Sequence, residues 1–454
     1  MRKEGEGPTR RTGGLERAEE PASSGRRRRI FAALAAIVAM GVASPSEAAE
    51  PKPAPWSAER AVSEPEDLRV EFVAFSPGSS IPSWFGHSAI VIEDRRLGVS
   101  RLYNYGMFSF DGTLLLKFAM GRLWFWVGQQ PEKRTYEFYE SQGRGVRIHE
   151  LNLPPAKRRQ IAEFLAWNAR PENRDYLYHH YRNNCATKPR DILDEAVGGA
   201  LRRATSRPSE LTLREHTRRF SHHNPPMDLL LMFMMNDSID QSIREWDAMF
   251  LPGELEENVV DLEYETSAGE TVPLVAETEV YYEGESRTIP DRAPPNWPWV
   301  LLVGAVLGGA GVAASWWWRR GPERAVPRAV LGLHQAAVGA VAGLPGTVLY
   351  LMSVATDHTV TYWNENLFFA NPLTLAVLPL GIALAAGRRG AVDWLQWIWT
   401  GLAGMAALGL VLKGFPSFDQ QNVQPICFLV PITVGCAVAF HWGARRSAAP
   451  PDEG

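Results

Sequence analysis

From Trp297 onward the chain is a series of apolar runs, whereas the residues before it mostly alternate between apolar and polar positions. In the first part, 67–75, 87–92 and 99–105 read as strands, the last two joined at the polar turn Glu93-Asp94-Arg95-Arg96. Residues 114–120 are apolar, 123–127 and 136–139 are aromatic and read as sheet, and 146–153 reads as a further strand. Pro154-Pro155 opens an amphipathic helix to Trp167, with Ile161, Leu165 and Phe164 on its inner face. A helix over 186–197 stops at Gly198-Gly199. Residues 201–250 read as helical and methionine-rich, and 259–282 returns to strand chemistry. The class is α+β.

Five runs near the C-terminus, about 297–318, 330–354, 372–386, 394–412 and 423–442, have the apolar length of membrane helices, the third being short. Arg319, Arg320, Arg324 and Arg328 follow the first, Arg388 and Arg389 the third, and Arg445 and Arg446 the fifth. Five crossings place all of these clusters on one side, which the positive-inside rule makes cytoplasmic. The opposite loops contain only Lys413 as a basic residue, and are rich in Asn and Gln (Asn364, Asn366, Gln420, Gln421, Asn422). Such polarity suits either solvated loops or loops that complete a lipid site. At the N-terminus, Arg26–Arg29, an apolar stretch at 30–43 and Ser46-Glu47-Ala48-Ala49 have the form of an export signal. The expected organisation is a signal (1–49), a Pro-rich linker (50–67), a catalytic core (68–200), a helical and strand extension (201–290), a five-helix membrane domain (291–446) and a cytoplasmic tail (447–454).

Composition adds little to this division, except that charge is segregated. Of 47 Lys/Arg only nine, and of 51 Asp/Glu only seven, lie from Trp297 onward. A formal net charge of -4 gives no reason to expect a nucleic-acid partner.

Cysteine usage changes the picture more. Cys427 and Cys436 lie in the last apolar run, which leaves Cys185 alone in the polar part, where exported domains usually pair their cysteines. Its neighbourhood, Tyr181-Arg182-Asn183-Asn184-Cys185-Ala186-Thr187, is polar, and a helix begins directly after it. A helix N-terminus and the cation Arg182 would both favour thiolate over thiol. The bland alternatives are a buried small side chain or an intermolecular disulfide. His87 is the favoured base, since it opens a strand after Gly86. A hairpin centred between Arg95 and Arg96 sets His87 opposite Asn104, one residue from Tyr105; either would orient the imidazole. The histidine spacings lack a metal-binding pattern, and no cofactor is expected.

Phe85-Gly86-His87-Ser88, Tyr103-Asn104-Tyr105-Gly106, Leu151-Asn152-Leu153, Asn184-Cys185-Ala186-Thr187-Lys188-Pro189-Arg190-Asp191 and Phe250-Leu251-Pro252 together resemble the Lnb-type lipoprotein N-acyltransferases, with Lys188 where arginine is expected. The resemblance spans roughly 68–445. It implies a circularly permuted papain-like (NlpC-like) ectodomain on a five-helix transmembrane domain, in a bacterial inner membrane with the ectodomain in the periplasm. It further implies a Cys185 nucleophile, a His87 base, Asn104 as orienter and Asn184 as a possible oxyanion group. The implied partners are a phospholipid acyl donor and a lipoprotein amine acceptor. A papain-like peptidoglycan peptidase would use the same dyad, and a non-catalytic membrane interaction protein is the third expectation.

Overall fold

A computed structural model describes residues 53–108, 120–285 and 287–441. The expected signal (1–49), most of the apolar run at 114–120, and Arg445 and Arg446 lie outside them.

The N-terminal domain is built on a seven-stranded antiparallel sheet in the order β6-β4-β3-β2-β1-β5-β9. These strands are β1 (Leu68–Phe75), β2 (His87–Asp94), β3 (Val99–Met107), β4 (Trp124–Gln130), β5 (Val146–Leu151), β6 (Asp175–Leu177) and β9 (Val275–Tyr282). A separate small hairpin, β7 (Glu263–Glu265) and β8 (Thr271–Pro273), precedes the last of them. β1 is buried almost throughout because both of its faces are covered. On one face Phe72, Ile90, Ile92, Tyr103 and Tyr105 form a core with Ile161 and Leu165 of helix α2 (Pro155–Asn168) and Leu193 of α3 (Thr187–Ala196). On the other, Val73, Phe75, Ala89, Val91 and Leu102 pack against Tyr136 and Tyr139 of α1 (Glu132–Ser141).

That second cover corrects the strand expected at 136–139. Pro131 starts the helix and Thr135, Tyr136 and Tyr139 are its buried residues, so the aromatics line one helical face. Phe164 is also not on the inner face of α2; it is exposed beside Trp167. Residues 201–250 break into short helices, of which α4 (Leu213–Ser221) and α5 (Pro225–Met234) are the longest. The strand expected from 259 begins later, because α6 (Pro252–Val260) runs past that point.

The C-terminal block contains four helices long and apolar enough to cross a membrane: α7 (Trp297–Arg319), α8 (Ala325–Ala355), α10 (Ala391–Leu412) and α11 (Val423–His441). The third apolar run is shorter and broken, with Pro372–Leu375 followed by α9 (Val377–Ala385). Backbones meet closely here: a Cβ on Gly332 of α8 would fall 2.4 Å from the Ala385 nitrogen.

Four of the five Asn and Gln residues named in the loops of this block are not solvated; Gln421 is exposed. Asn364, Asn366, Gln420 and Asn422 are buried. Asn366 Nδ2 donates to Phe233 O (2.8 Å), Asn364 Nδ2 to Met234 O (3.0 Å) and Gln420 Nε2 to Met235 O (2.9 Å). The last carbonyls of a helix have no intrahelical partner, so these amides complete the end of α5. The N-terminal domain is thereby fastened to the apolar block through hydrogen bonds that no water needs to supply.

Candidate active site

The site grows from the start of β2. Gly86 has φ +83°, and a Cβ there would lie 3.1 Å from Phe75 O, so glycine lets the chain turn tightly into the strand. The next side chain, His87, enters the face covered by α1, beside the stacked rings of Phe75 (5.9 Å) and Tyr139 (6.1 Å).

Asn104 lies on the same face of β3. His87 Nε2 and Asn104 Oδ1 are 2.7 Å apart. The amide is fixed in turn, since Asn104 Nδ2 donates to Gln130 Oε1 at 3.0 Å. An amide oxygen can only accept, so the bond requires the proton on Nε2 and leaves Nδ1 free to take one. Tyr105 points to the opposite face, where its hydroxyl donates to Asn168 Oδ1 (2.6 Å). The hairpin register sits two residues from the sequence-based one, with Ile90 opposite Tyr103. A shift of two keeps every side chain on its face; a shift of one would have exchanged Asn104 for Tyr105.

Cys185 sits at the entry to α3. Asn184 Oδ1 accepts from the amides of Ala186 (2.8 Å) and Thr187 (2.9 Å), and its Nδ2 donates to His180 O and Phe250 O. Asn184 therefore closes the turn that leads into this helix, with its side-chain amide wholly engaged by backbone. Ser88 Oγ donates to Cys185 O at 2.8 Å, tying the turn to β2. A Cβ built on Gly106 would lie 3.7 Å from both Cys185 Cβ and His87 Cε1, so both residues border this glycine. Lys188, the departure noted in the sequence, places its ammonium over the Tyr176 ring.

The electrostatics differ from the sequence-based expectation. Cys185 keeps a partly open face. Even so, the protein packed around the sulfur pushes its pKa up to about 11, against the pull of the Ser88 and Cys185 amides and of Arg144. Desolvation lowers His87 to about 4; the bond to Asn104 opposes this and Arg144 adds to it. The resting pair is a neutral thiol and a neutral imidazole. Arg182, expected to favour the thiolate, is exposed and is not the cation that the thiol senses.

That cation, Arg144, escaped sequence reading. It follows α1 within Gly143-Arg144-Gly145, is only 6% exposed, donates from Nε to Ser76 O (2.7 Å) and lies over the Tyr139 ring. The glycines on either side were the available signal. Gln130 was missed as well, since nothing local marks it as the partner of Asn104. Among the described residues no group of three or more His, Cys, Asp or Glu is placed to hold a metal ion.

Residues 57–219 match the family model described as the Lnb N-terminal periplasmic domain, and residues 325–443 that of the Lnb transmembrane domain. The chain belongs to the Lnb family. No curated relative and no solved structure matches it. His87, Asn104, Gln130, Arg144 and Cys185 all fall within the matched Lnb periplasmic domain, while α5 lies between the two matches and the amides that bond its end, Asn364, Asn366 and Gln420, fall within the matched Lnb transmembrane domain. As a member of this family the chain is a membrane protein with a periplasmic domain.

Proposed function

We propose that this protein is a thiol acyltransferase, moving a fatty acyl chain from a phospholipid through a Cys185 thioester to the N-terminal amine of a diacylglyceryl lipoprotein. The observation that carries the reading is the 2.7 Å bond from His87 to Asn104, with Cys185, at a helix start, bordering the same Gly106 as the imidazole. Cys185 Sγ attacks the ester carbonyl as His87 Nδ1 takes the thiol proton. The C–O bond breaks, and the imidazolium returns that proton to the departing glycerol oxygen, releasing a lysophospholipid. The acceptor amine then attacks the thioester, His87 removes its proton and delivers it to the leaving sulfur, and the amide and free thiol result. Since Asn184 occupies the Ala186 and Thr187 amides, the donor left at this turn for the oxyanion is the Cys185 N–H.

Histidine before cysteine, on an antiparallel sheet with the thiol at a helix start, supports a circularly permuted papain-like fold. Both substrates are anchored in the bilayer, which suits a domain fastened to apolar helices. At that junction an apolar groove of about 490 Å³, lined by Leu229 and Phe233 of α5 with Val303 and Phe428, provides a bed for an acyl chain. We read Pro372–Ala385 as a fifth crossing, because it sets the basic clusters on one, cytoplasmic side of the inner membrane.

The test is intact mass spectrometry of purified protein incubated with phospholipid. A hydroxylamine-sensitive acyl adduct on wild type, absent from Cys185→Ala and discharged by a diacylglyceryl-cysteinyl peptide, is the expected result. Failure to form an adduct while a muropeptide is cleaved would replace this reading with a wall peptidase.

A further inference from the structure

Arg144 is an electrostatic anomaly. A guanidinium stays charged at any relevant pH, and taking it out of water is costly unless a counter-charge or a full set of acceptors compensates. This one is 6% exposed, and its Nη2 is buried without a hydrogen-bond partner. Nε is satisfied by Ser76 O, and the Tyr139 face offers cation–π attraction. Among the described residues no carboxylate acts on it: the groups that offset its burial are Tyr139, by charge and by a side-chain hydrogen bond, and Cys185. The nearby Arg147, by contrast, is paired with Glu256. Arg144 therefore carries an unmatched positive charge and a free donor within electrostatic reach of both Cys185 and His87.

Neither half of the dyad explains this arrangement. The cation favours thiolate at Cys185 but disfavours imidazolium at His87, so it gives little net help to forming the ion pair. A substrate anion would complete it. Resting on the acyl-transfer reading above, we propose that Arg144 is the positioning residue that binds the phosphodiester of the glycerolipid donor through Nη2. A glycerophospholipid carries its phosphate on the same three-carbon backbone as the ester under attack. An anion site this close to the thiol would place the phosphate while the carbonyl meets Sγ, and a neutral glycerolipid would leave the charge unmatched. Guanidinium and phosphate oxygens form charge-assisted hydrogen bonds, the strong class.

The experiment measures binding without turnover. Full-length protein in detergent is treated with iodoacetamide, and alkylation of Cys185 is followed in the presence of the ether-linked analogues dihexylphosphatidylglycerol or dihexylglycerol, which cannot acylate the thiol. Each variant is referenced to its own unprotected rate, which removes any change in the thiol itself. Wild type should be half-protected by the phospholipid at about ten-fold lower concentration than by the neutral lipid, the discrimination one charge-assisted hydrogen bond confers. Arg144→Gln should lose that ratio and Arg144→Lys should retain part of it. Equal protection of wild type by the two lipids overturns the proposal, even if Arg144→Gln does not fold; so does a ratio that survives in Arg144→Gln. Selective protection of wild type, with no thioester formed when ester-linked phospholipid is supplied, would leave the Arg144 assignment standing and remove the acyl-transfer reading instead.

Discussion

His87 bonds Asn104 diagonally across the hairpin rather than its direct cross-strand neighbour. The ladder pairs Ile90 with Tyr103, so its extension sets His87 opposite Gly106, while the imidazole reaches Asn104 Oδ1 at 2.7 Å. Diagonal neighbours lie within reach of long side chains. The direct position is left without a side chain, and into that space comes Cys185.

Gly106→Ala tests that space. The residue has φ +98°, where an L side chain is strained, and its Cβ would stand in van der Waals contact with both Cys185 and His87. We expect a loss of about 1–2 kcal/mol in stability together with slowed alkylation of Cys185. Unchanged alkylation in the folded variant would show that the thiol is approached from elsewhere.

Asn104→Ala removes the acceptor that fixes the imidazole tautomer. Acyl-adduct formation should fall roughly 10–100-fold, the range seen when the partner that orients a metal-bound histidine is removed. Gln130→Ala acts one step further out, releasing Asn104 Nδ2 while leaving Oδ1 in place, and should cost less. Single-turnover labelling of the two variants orders them; a larger defect in Gln130→Ala would contradict this chain of support.

The pH dependence follows from the two shifted groups. His87 is lowered to about 4 in the folded chain, so between there and ~6.5 the unfolded chain binds a proton that the folded one does not. Stability should climb across that window, by at most ~3 kcal/mol from this group. Cys185 is raised to about 11, so stability is lost as pH rises from ~9 toward that value. Iodoacetamide alkylation should likewise increase through pH 9 without a plateau between 6 and 8. Such a plateau would reveal a resting thiolate–imidazolium pair.

The junction gives a prediction remote from the dyad. Asn366→Ala takes the 2.8 Å bond from Phe233 O, which keeps only the 3.3 Å one from Asn364, and strips Asn422 Nδ2 of its acceptor, a buried loss of about 1–3 kcal/mol. Hydrogen exchange should rise in α5 and in the loop around Asn364, whereas the alkylation rate of Cys185 in detergent should stay within about two-fold. Exchange confined to the loop alone would show that α5 does not depend on it.

Much of this protein is legible in its sequence because periodicity and residue chemistry are local properties. The strand alternation located β1, β2 and β3 within a residue or two, apolar length located the four long helices, and an unpaired cysteine at a helix start, after a histidine opening a strand, singled out Cys185 and His87. Even the choice of Asn104 over Tyr105 depended only on the parity of the register, which the strand period of two protects from an even slip. What required tertiary structure is whatever depends on enclosure. The aromatic 136–139 segment forms a helix because a second face of the sheet needed covering. The protonation state of the dyad is set by desolvation, which no neighbouring residue in sequence reports. Polar residues that look solvated as a string, Asn364, Asn366 and Gln420, are buried because helix α5 brings them carbonyls to bond. Arg144 lies 41 positions before the thiol it senses, and only the folding of α1 onto the sheet brings its charge there. Burial and electrostatic reach are properties of three-dimensional neighbours, and the linear chain does not name them.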